Sequence, residues 1–550
     1  MSHQDNRSPG SFSELIEGLK RGTLDRRGFL QRATRIGAAG AAATFLGGAG
    51  VSGLILPVGS ARAAEPKSGG EPKSGGRIRV ATNDPSPADQ LDPARLDTFT
   101  DGLRSYFAFE KLTEIDATGA HVPQLATEWS ANPEASVWTF KLREGVTFHN
   151  GKKLIPADVV YTFKRILDKE TASLGRSYIT DVTEVKADGD TVVFTLAGPN
   201  SEFPIRTALR WMGIVPEGAK EFPKDAIGTG PWKLAEFQPG IVAVYQRNPD
   251  YWRPGLPYID EIESIGIGDE AARLNSLLSG EVDVIQAVNS KAVKRVEASG
   301  VAMPLIAKGG PAATFSMRAD TAPYTDVNIR TALKHAFDRQ KFLDIAFDGV
   351  GVIGSDHPVP PSDPDYNKDL PIPAYDPDRV KSLLAKAGAS TTEFDLNTSD
   401  ANYGGANAGV VLGELMKAAG ANVKVTRHPT DGYWTAVYMK APWSASSWTV
   451  RPTALAWIEA GWIKGAAYNE GFWSDPRVDD LVASAKRELD AGKRRKMLYD
   501  AQEIIALEGS SIIPIFVPWI DGVSTRVQNL HAHPLLFCGA GQWAEVWLDS

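Results

Sequence analysis

Hydrophobic and polar positions alternate along this chain in short stretches whose period changes repeatedly. Trp138–Arg143 alternates between apolar and polar side chains, as a half-buried strand does. Asn150-Gly151 follows as a signal for a tight turn. From Ala157 onward the apolar positions recur at helical spacing, at Val159, Val160, Phe163, Ile166 and Leu167. The stretch 138–167 is therefore predicted to form a strand, a turn and a helix.

The same succession of short strands and helices continues to the C-terminus. Further strands are predicted at Arg77–Ala81, Thr191–Leu196, Ile241–Tyr245 and Ile512–Val517. A strong helix precedes the last strand, with apolar positions at Met497, Leu498, Ala501, Ile504 and Ile505. Strands alternating with helices favour an α/β fold over a helical bundle or a β-sandwich.

The first 63 residues are predicted to be an export signal and not part of the fold. Asp25–Gln31 resembles the twin-arginine export motif, Ile36–Val58 is apolar and rich in Gly and Ala, and Ala61–Ala63 has the pattern of a cleavage site. A single transmembrane anchor is the alternative, since about 20 apolar residues can span a bilayer. Residues 64–76 contain a repeated Glu-Pro-Lys-Ser-Gly-Gly sequence and are predicted to be a flexible tether. Twin-arginine export predicts a periplasmic protein.

Composition narrows the class of protein. The 550 residues carry a net charge of −8 and are 43% hydrophobic, which is typical of a soluble globular chain. These values exclude a disordered chain and a polytopic membrane protein. An acidic chain without a visible basic patch argues against nucleic acid as the main partner. The single cysteine, Cys538, excludes an internal disulfide framework and a multi-cysteine metal centre.

Four blocks in this order resemble a known family of transport proteins. They are Val137–Leu167, Gly228–Trp232 together with Arg247–Trp252, Val327–Arg339, and Asp376–Gly388. In their order and sequence they resemble the peptide/nickel family (family 5) of extracellular solute-binding proteins, which serve ABC importers. The resemblance spans about residues 77 to 530. Most residues of these blocks also have a structural interpretation, as core, turns and packing anchors.

The resemblance implies an α/β architecture of two lobes, the type II periplasmic-binding-protein fold, with an extra domain inserted in the first lobe. The first lobe would comprise 77–112, 226–311 and 515–550, the inserted domain 113–225, and the second lobe 312–514. The chain would cross between the lobes near Pro311–Ala313 and Ile513–Ile515. Such lobes close on a ligand by a hinge motion.

The segment from His428 to Trp473 is the predicted ligand-binding region because it contains ten aromatic side chains. Five of the 14 tryptophans lie in it within 29 residues: Trp434, Trp443, Trp448, Trp457 and Trp462. Four of these tryptophans, from Trp443 to Trp462, and Tyr468 stand among small and polar residues, without the regular spacing of a core helix. Ligand contact is predicted for Trp443 and Trp448, and core packing for Trp457 and Trp462.

Arg451 lies between these rings and is the candidate for binding a ligand carboxylate. A planar guanidinium can bind a carboxylate through two hydrogen bonds, and aromatic walls exclude water from the pair. A structural ion pair is the alternative role. Many members of the family carry an acidic segment here that meets the amino terminus of a peptide, and this chain departs from that pattern.

Four further residues are candidates for ligand contact. Asn469 and Glu470 could supply amide and carboxylate contacts, or a turn. Thr98 and Asp101 lie in or beside the loop after the first predicted strand, where ligand sites of α/β folds form.

The remaining motifs do not predict a function. Gly266–Ala271 matches the dinucleotide-binding pattern, but Asp269 and Glu270 place negative charge where a pyrophosphate would bind, and they more simply favour a helix start. His531, His533 and Cys538 are too loosely spaced to predict a metal site. No catalytic motif is found, so no catalytic residue, resident metal or cofactor is predicted.

The sequence therefore predicts a monomeric periplasmic receptor that captures a peptide or a peptide-like solute by lobe closure. Its partner would be an inner-membrane ABC permease with its ATPases, and it would bind no nucleic acid. The alternative is an exported hydrolase or redox enzyme of unknown substrate. A dipeptide, an oligopeptide, an opine-like compound and a chelated metal all remain open as the ligand.

Overall fold

The computed structural model describes residues 70–307, 309–535 and 537–549. The predicted export signal 1–63 and residues 64–69 of the predicted tether lie outside the described residues. Within the described ranges, no helix has both the length and the hydropathy to cross a bilayer. Three main sheets organise these ranges.

A seven-stranded sheet forms the centre of the first lobe. Its strand order is Ala302–Ile306, Ile520–Ser524, Val284–Ile285, Arg77–Thr82, Glu261–Gly266, Val242–Arg247 and Trp232–Gln238. Arg77–Thr82 pairs in parallel with the strands on both of its sides, and the remaining pairs are antiparallel. Ile78 and Val80 of this central strand are fully buried, as expected of a strand covered on both faces.

A six-stranded sheet forms the centre of the second lobe. Its order is Val352–Ile353, Ser511–Phe516, Ala312–Met317, Trp443–Trp448, Phe394–Ser399 and Val423–His428. Ala312–Met317 is antiparallel to both of its neighbours, whereas Phe394–Ser399 is parallel to its neighbours. The sheet is therefore mixed, and its central strands are almost wholly apolar on the face that meets the helices.

A four-stranded antiparallel sheet lies within 113–225, here called the inserted unit. Its order is Ala126–Ala131, Val137–Leu142, Thr191–Leu196 and Val182–Asp188. Helix Pro156–Leu167 buries Val159, Phe163 and Ile166 against this sheet. The strand, turn and helix predicted for 138–167 are thus confirmed within one residue at each end.

The helices begin where the sequence supplies a cap. In the second lobe, Asp326, Asp338, Asp376, Asp475 and Asp490 each accept a hydrogen bond from a backbone N–H of the following turn. The α-helices are Phe99–Ala108, Pro156–Leu167, Phe203–Arg206, Glu270–Leu278, Val293–Ala298, Val327–His335, Arg339–Ala346, Pro377–Lys386, Gly405–Ala418, Tyr433–Ala436, Ala454–Gly461, Pro476–Ala485 and Ala491–Glu508. The 3₁₀ turns are Pro93–Arg95, Lys169–Thr171, Leu174–Tyr178, Arg210–Met212, Ser290–Ala292 and Ala540–Glu545.

The structure explains the dinucleotide-like motif at Gly266. Asp269 caps helix Glu270–Leu278 by accepting from the Ala272 N–H at 2.8 Å. The preference of these acidic residues for a helix start is confirmed.

Two short segments join the sheets of the two lobes. The chain leaves the seven-stranded sheet after Ile306 and enters the six-stranded sheet at Ala312, and it returns between Phe516 and Ile520. Ile513–Ile515, where the second crossing was expected, lie inside a strand of the six-stranded sheet. The crossing falls later because all of Ser511–Phe516 is buried, and both ends of this strand pair with Ala312–Met317 across a bulge.

The two crossings are hydrogen bonded to each other. The Val517 N–H donates to the Pro311 carbonyl at 2.8 Å. Gly310 has φ of +147°, and a Cβ there would lie 2.2 Å from the Val517 carbonyl oxygen. Glycine is therefore required at this close approach of the two connecting segments.

Candidate functional site

A cavity of about 190 Å³ lies where the two lobes and the inserted unit meet. The first lobe contributes Phe99, Tyr106, Trp519, His533 and Leu535. The inserted unit contributes Glu114, Ile115, Tyr178 and Ala208–Trp211, and the second lobe contributes Thr449, Val450 and Pro452. A cavity bounded by all three units is where lobe closure would enclose a solute.

Aromatic rings form much of the cavity wall. Tyr178 and Trp211 stack with ring centroids 5.3 Å apart and an interplanar angle of 21°. Phe99 meets the Trp519 ring edge-on at 5.4 Å. Rings in these arrangements offer apolar contact area with little conformational entropy to lose on binding.

Arg210 is a cation on this wall. It begins the short turn Arg210–Met212, and its guanidinium carbon lies 4.5 Å from the Trp211 ring centroid and 5.8 Å from that of Phe99. Its Nη1 donates to the Thr98 carbonyl at 3.3 Å. Burial lowers the pKa of Arg210, yet arginine stays protonated in proteins. The side chain therefore brings a full positive charge to the cavity.

Glycine makes room for this side chain. A Cβ at Gly102 would lie 3.3 Å from Nη1 of Arg210. Gly102 belongs to helix Phe99–Ala108, so Arg210 lies directly against the backbone of that helix.

The other ionisable groups of the cavity have partners within the protein. Glu114 pairs with Lys111 at 2.6 Å, and Lys111 also lies 4.2 Å from the Tyr106 ring centroid. His533 is buried, with Nε2 3.0 Å from the Ile115 carbonyl and Nδ1 accepting from the Leu535 N–H at 3.2 Å. Burial lowers the pKa of His533, so its ring is neutral at neutral pH. Arg210 remains as a cavity charge without an ion pair among the described residues.

Arg451, the residue predicted to bind a carboxylate of the ligand, does not line this cavity. It borders a recess of about 10 Å³, roughly the volume that one water requires, next to the larger cavity. Its Nη1 donates to the Thr449 hydroxyl at 3.3 Å, and its guanidinium carbon lies 5.7 Å from the Trp448 ring centroid. Its chain neighbours Thr449, Val450 and Pro452 line the larger cavity. The structure thus brings the predicted segment to the cavity through the residues beside Arg451.

The predicted tryptophans lie in the second-lobe core. Trp443 is 0% exposed, and its ring centroid lies 6.1 Å from that of Tyr324. Trp448 is 4% exposed and packs 4.7 Å from the Trp462 ring. Neither Trp443 nor Trp448 lines the cavity, so ligand contact by these rings stays a prediction. Core packing is confirmed for Trp457 and Trp462.

Asn469 and Glu470 are engaged within the second lobe. The Asn469 side chain donates to the Trp473 carbonyl at 2.6 Å and accepts from the Trp473 N–H at 3.2 Å, which closes a turn. Glu470 is 4% exposed and accepts from Thr314 at 2.9 Å and Ser316 at 2.6 Å. The structure does not bring either side chain to the cavity.

Thr98 and Asp101 lie at the start of helix Phe99–Ala108. The Thr98 hydroxyl caps the helix by accepting from the Asp101 N–H at 3.0 Å, while the Thr98 carbonyl accepts from Arg210. Asp101 is buried and accepts from the backbone N–H groups of Gln90 and Asp97. Thr98 therefore contacts Arg210 through its backbone carbonyl. Asp101 holds the loop that precedes the helix through its two hydrogen bonds.

The sequence interpretation missed Arg210 and Trp211. Their only local signal is an arginine beside a tryptophan in a short segment without strand or helix periodicity. No group of three or more His, Cys, Asp or Glu in the described ranges is placed to hold a metal ion.

Comparison with known proteins shows which family this chain resembles. Residues 120–458 match the profile of the bacterial extracellular solute-binding proteins, family 5. The di/tripeptide-binding protein 3 of Pseudomonas aeruginosa (strain UCBPP-PA14) is 26% identical over 478 residues, which cover 79% of this chain and 89% of the relative. The periplasmic oligopeptide-binding protein OppA of Salmonella typhimurium is 25% identical over 534 residues, with 87% and 95% covered.

A solved structure supports the same fold. HbpA2 from Haemophilus parasuis superimposes with a TM-score of 0.78 at 23% identity, and the match covers 86% of this chain and all of that one. The predicted type II periplasmic-binding-protein fold is confirmed. The chain belongs to family 5 of the bacterial extracellular solute-binding proteins, as the four sequence blocks indicated.

Proposed function

We propose that this protein is the receptor of an ABC importer and captures a peptide or peptide-like solute between its two lobes. The single observation that carries the proposal is the aromatic cavity bounded jointly by both lobes and the inserted unit. Relatives that are named for binding dipeptides, tripeptides and oligopeptides support the ligand class. The receptor performs no reaction, since the ATPases of the importer supply the energy.

The size of the cavity favours a small solute. A water needs roughly 10–15 Å³ of such volume, so about 190 Å³ accommodates roughly a dozen or more water-sized groups. A dipeptide has about that many non-hydrogen atoms. A longer peptide would require the lobes to open further, as a hinge where Val517 is hydrogen bonded to Pro311 would permit.

The route to the periplasm belongs to the same proposal. Residues 1–63 direct export by the twin-arginine pathway, and the mature chain acts as a monomer with an inner-membrane permease. Fractionation of cells is expected to recover the mature chain in the periplasm. Recovery of a cleaved chain from the cytoplasm would contradict this route.

A ligand screen tests the proposed function. The full mature chain is titrated with dipeptides, tripeptides, longer peptides, opines, neutral sugars and nickel salts, with melting temperature as the first readout and calorimetry as the second. We expect saturable stabilisation by one or more small peptides or peptide-like solutes, since a ligand that binds only the folded state raises the melting temperature. Mass spectrometry of the recovered solute checks that it is unchanged. Turnover of the solute, or stabilisation by sugars alone, would contradict a peptide receptor.

A further inference from the structure

We infer that Arg210 binds a carboxylate of the solute and thereby selects for ligands with a free acid group. This inference rests on the proposed function, and it names the group that the cavity recognises. The observation that carries it is a charge that the protein itself leaves uncompensated on the wall of its ligand cavity.

Four buried arginines, at most 6% exposed, show how this protein compensates such a charge. Arg104 pairs with Asp89 at 2.7 Å, and Arg339 pairs with Asp356 within 2.6 Å. Two further buried arginines, Arg273 and Arg330, donate to several backbone carbonyls at 2.8 to 3.3 Å. Each therefore has an ion pair or at least three hydrogen bonds.

Arg210 has neither. Within the described residues its guanidinium makes one long hydrogen bond, to the Thr98 carbonyl, and no ion pair. Desolvating a charge without a partner is costly, so a site that keeps one is stabilised when a ligand supplies the opposite charge.

The nearest acidic side chains are already engaged elsewhere. Asp84 accepts from the Phe99 N–H at 2.7 Å and the Thr100 N–H at 2.9 Å, at the start of the helix. Asp101 accepts from two loop N–H groups, and Glu114 pairs with Lys111. Asp84 and Asp101 attract Arg210 only over a distance, which leaves its N–H groups available to an acceptor in the cavity.

The rings around Arg210 fix its orientation. Trp211 and Phe99 both lie within 6 Å of the guanidinium, which restricts the rotation of the planar group. A planar guanidinium that is already oriented can bind a carboxylate through two parallel hydrogen bonds at little entropic cost. Together with the cavity size, this geometry favours a dipeptide-sized solute with one free carboxylate and an apolar or aromatic side chain.

The experiment compares acids with their amides. Calorimetry measures the binding of alanyl-phenylalanine, its C-terminal amide, its N-acetylated form and an opine carboxylate to the mature protein. We expect the amide to bind on the order of 10- to 100-fold more weakly than the free acid, since a charge-assisted hydrogen bond is lost. Binding by the opine but not by the dipeptide would place the same carboxylate chemistry on a different solute.

Two variants locate the carboxylate. Arg210→Gln is expected to remove the preference for acid over amide, and Arg210→Lys to retain part of it because the charge remains without the planar fork. Arg451→Gln tests the competing position at the smaller recess, and the inference predicts that it leaves the preference intact. The unliganded melting temperature of each variant shows that it is folded.

The outcomes separate this inference from the proposed function. If the acid and the amide bind equally well, Arg210 does not select carboxylates, although the receptor function stands. If Arg451→Gln abolishes the preference and Arg210→Gln does not, the carboxylate lies at the smaller recess and this inference is wrong. If none of the peptides or opines binds, the proposed function fails and the inference fails with it.

Discussion

Two aromatic clusters of this protein differ in what surrounds them. The second-lobe cluster comprises Trp448, Trp457, Trp462 and Trp473, which are at most 8% exposed. The cavity cluster comprises Phe99, Tyr106, Tyr178, Trp211 and Trp519. The first cluster is built from neighbours within one short stretch of sequence, whereas the second brings together residues from distant parts of the chain.

Their polar atoms differ only in part, since the indole N–H of Trp519 in the cavity cluster also has no acceptor among the described residues. The indole N–H groups of Trp448 and Trp457 have no hydrogen-bond acceptor among the described residues, which a core tolerates when apolar packing dominates. In the cavity cluster the Trp211 N–H donates to the Leu96 carbonyl at 2.8 Å, and Arg210 lies over the Trp211 ring. Trp457 and Trp462 of the second-lobe cluster therefore belong to a core, whereas the rings of the cavity cluster line the larger cavity together with Arg210.

The largest expected effect is on the second-lobe cluster. Trp457→Ala removes a fully buried indole from helix Ala454–Gly461 and should destabilise the protein by about 3–5 kcal/mol. Urea unfolding monitored by circular dichroism measures this change. Ligand affinity of the folded fraction should stay unchanged, because Trp457 does not line the cavity. Trp457→Phe, which keeps an aromatic ring and removes the unpaired N–H, is the milder control.

The second effect is on the cavity cluster. Trp211→Ala removes the ring that stacks on Tyr178 and Arg210 and the hydrogen bond to Leu96. Because the ring is only half-buried, we expect a loss of stability of about 1–3 kcal/mol. Affinity should fall about tenfold, since the ring holds Arg210 in place and lines the cavity.

The change in ligand affinity caused by Trp211→Ala has to be compared with the change caused by Trp457→Ala. If Trp211→Ala left affinity intact while Trp457→Ala weakened it in the folded fraction, the assignment of the two clusters would have to be exchanged. Calorimetry on both variants at a temperature where each is folded decides this.

The smallest effect concerns the edge where the second-lobe cluster meets the inserted unit. Thr453 caps the helix that carries Trp457, and its hydroxyl donates to Glu202 of the inserted unit. Burial raises the pKa of Glu202 from 4.5 to about 7. The folded state therefore holds a proton that the unfolded state releases, and this contribution to stability is lost as pH rises from about 4.5 to 7.

Glu202→Gln tests this contact. The amide cannot ionise and still offers an acceptor to Thr453, so the variant should match the parent protein near pH 5 and be more stable above pH 7. The melting temperatures of both proteins are measured at a series of pH values. Other buried acids contribute equally to both proteins, so the difference in melting temperature at each pH reports on Glu202 alone. An identical pH dependence for both proteins would show that Glu202 does not titrate in this range.

Much of the fold could be predicted from local patterns. The strand at Val137–Leu142, the helix at Pro156–Leu167 and the long helix at Ala491–Glu508 follow from apolar periodicity, because burial on one face requires that period. The second crossing is expected within the predicted strand Ile512–Val517, but the chain crosses only after the observed strand Ser511–Phe516 has ended. Only the pairing of Ser511–Phe516 with its neighbours settles which sheet holds them.

The candidate site was less accessible to prediction. The segment beside Arg451 does reach the cavity, through Thr449, Val450 and Pro452. Ligand contact is predicted for Trp443 and Trp448 because they belong to a segment rich in tryptophan. A tryptophan in a short strand can, however, lie on the core face of the sheet as easily as on the ligand face. The local sequence around Arg210 does not predict a binding role. The role proposed for Arg210 depends on its having no ion pair among the described residues, and a sequence alone does not show which carboxylates lie near an arginine in the folded protein.

The sequence by itself determined the family, the α/β class and the positions of most strands and helices, because these depend on neighbours along the chain and on blocks of fixed order. The tertiary structure decided which aromatic rings form the core and which line the cavity, and it decided that Arg210 lines the larger cavity whereas Arg451 borders the smaller recess. The physical reason is that burial and charge compensation depend on contacts between residues hundreds of positions apart. Those contacts exist only once the two lobes and the inserted unit have come together.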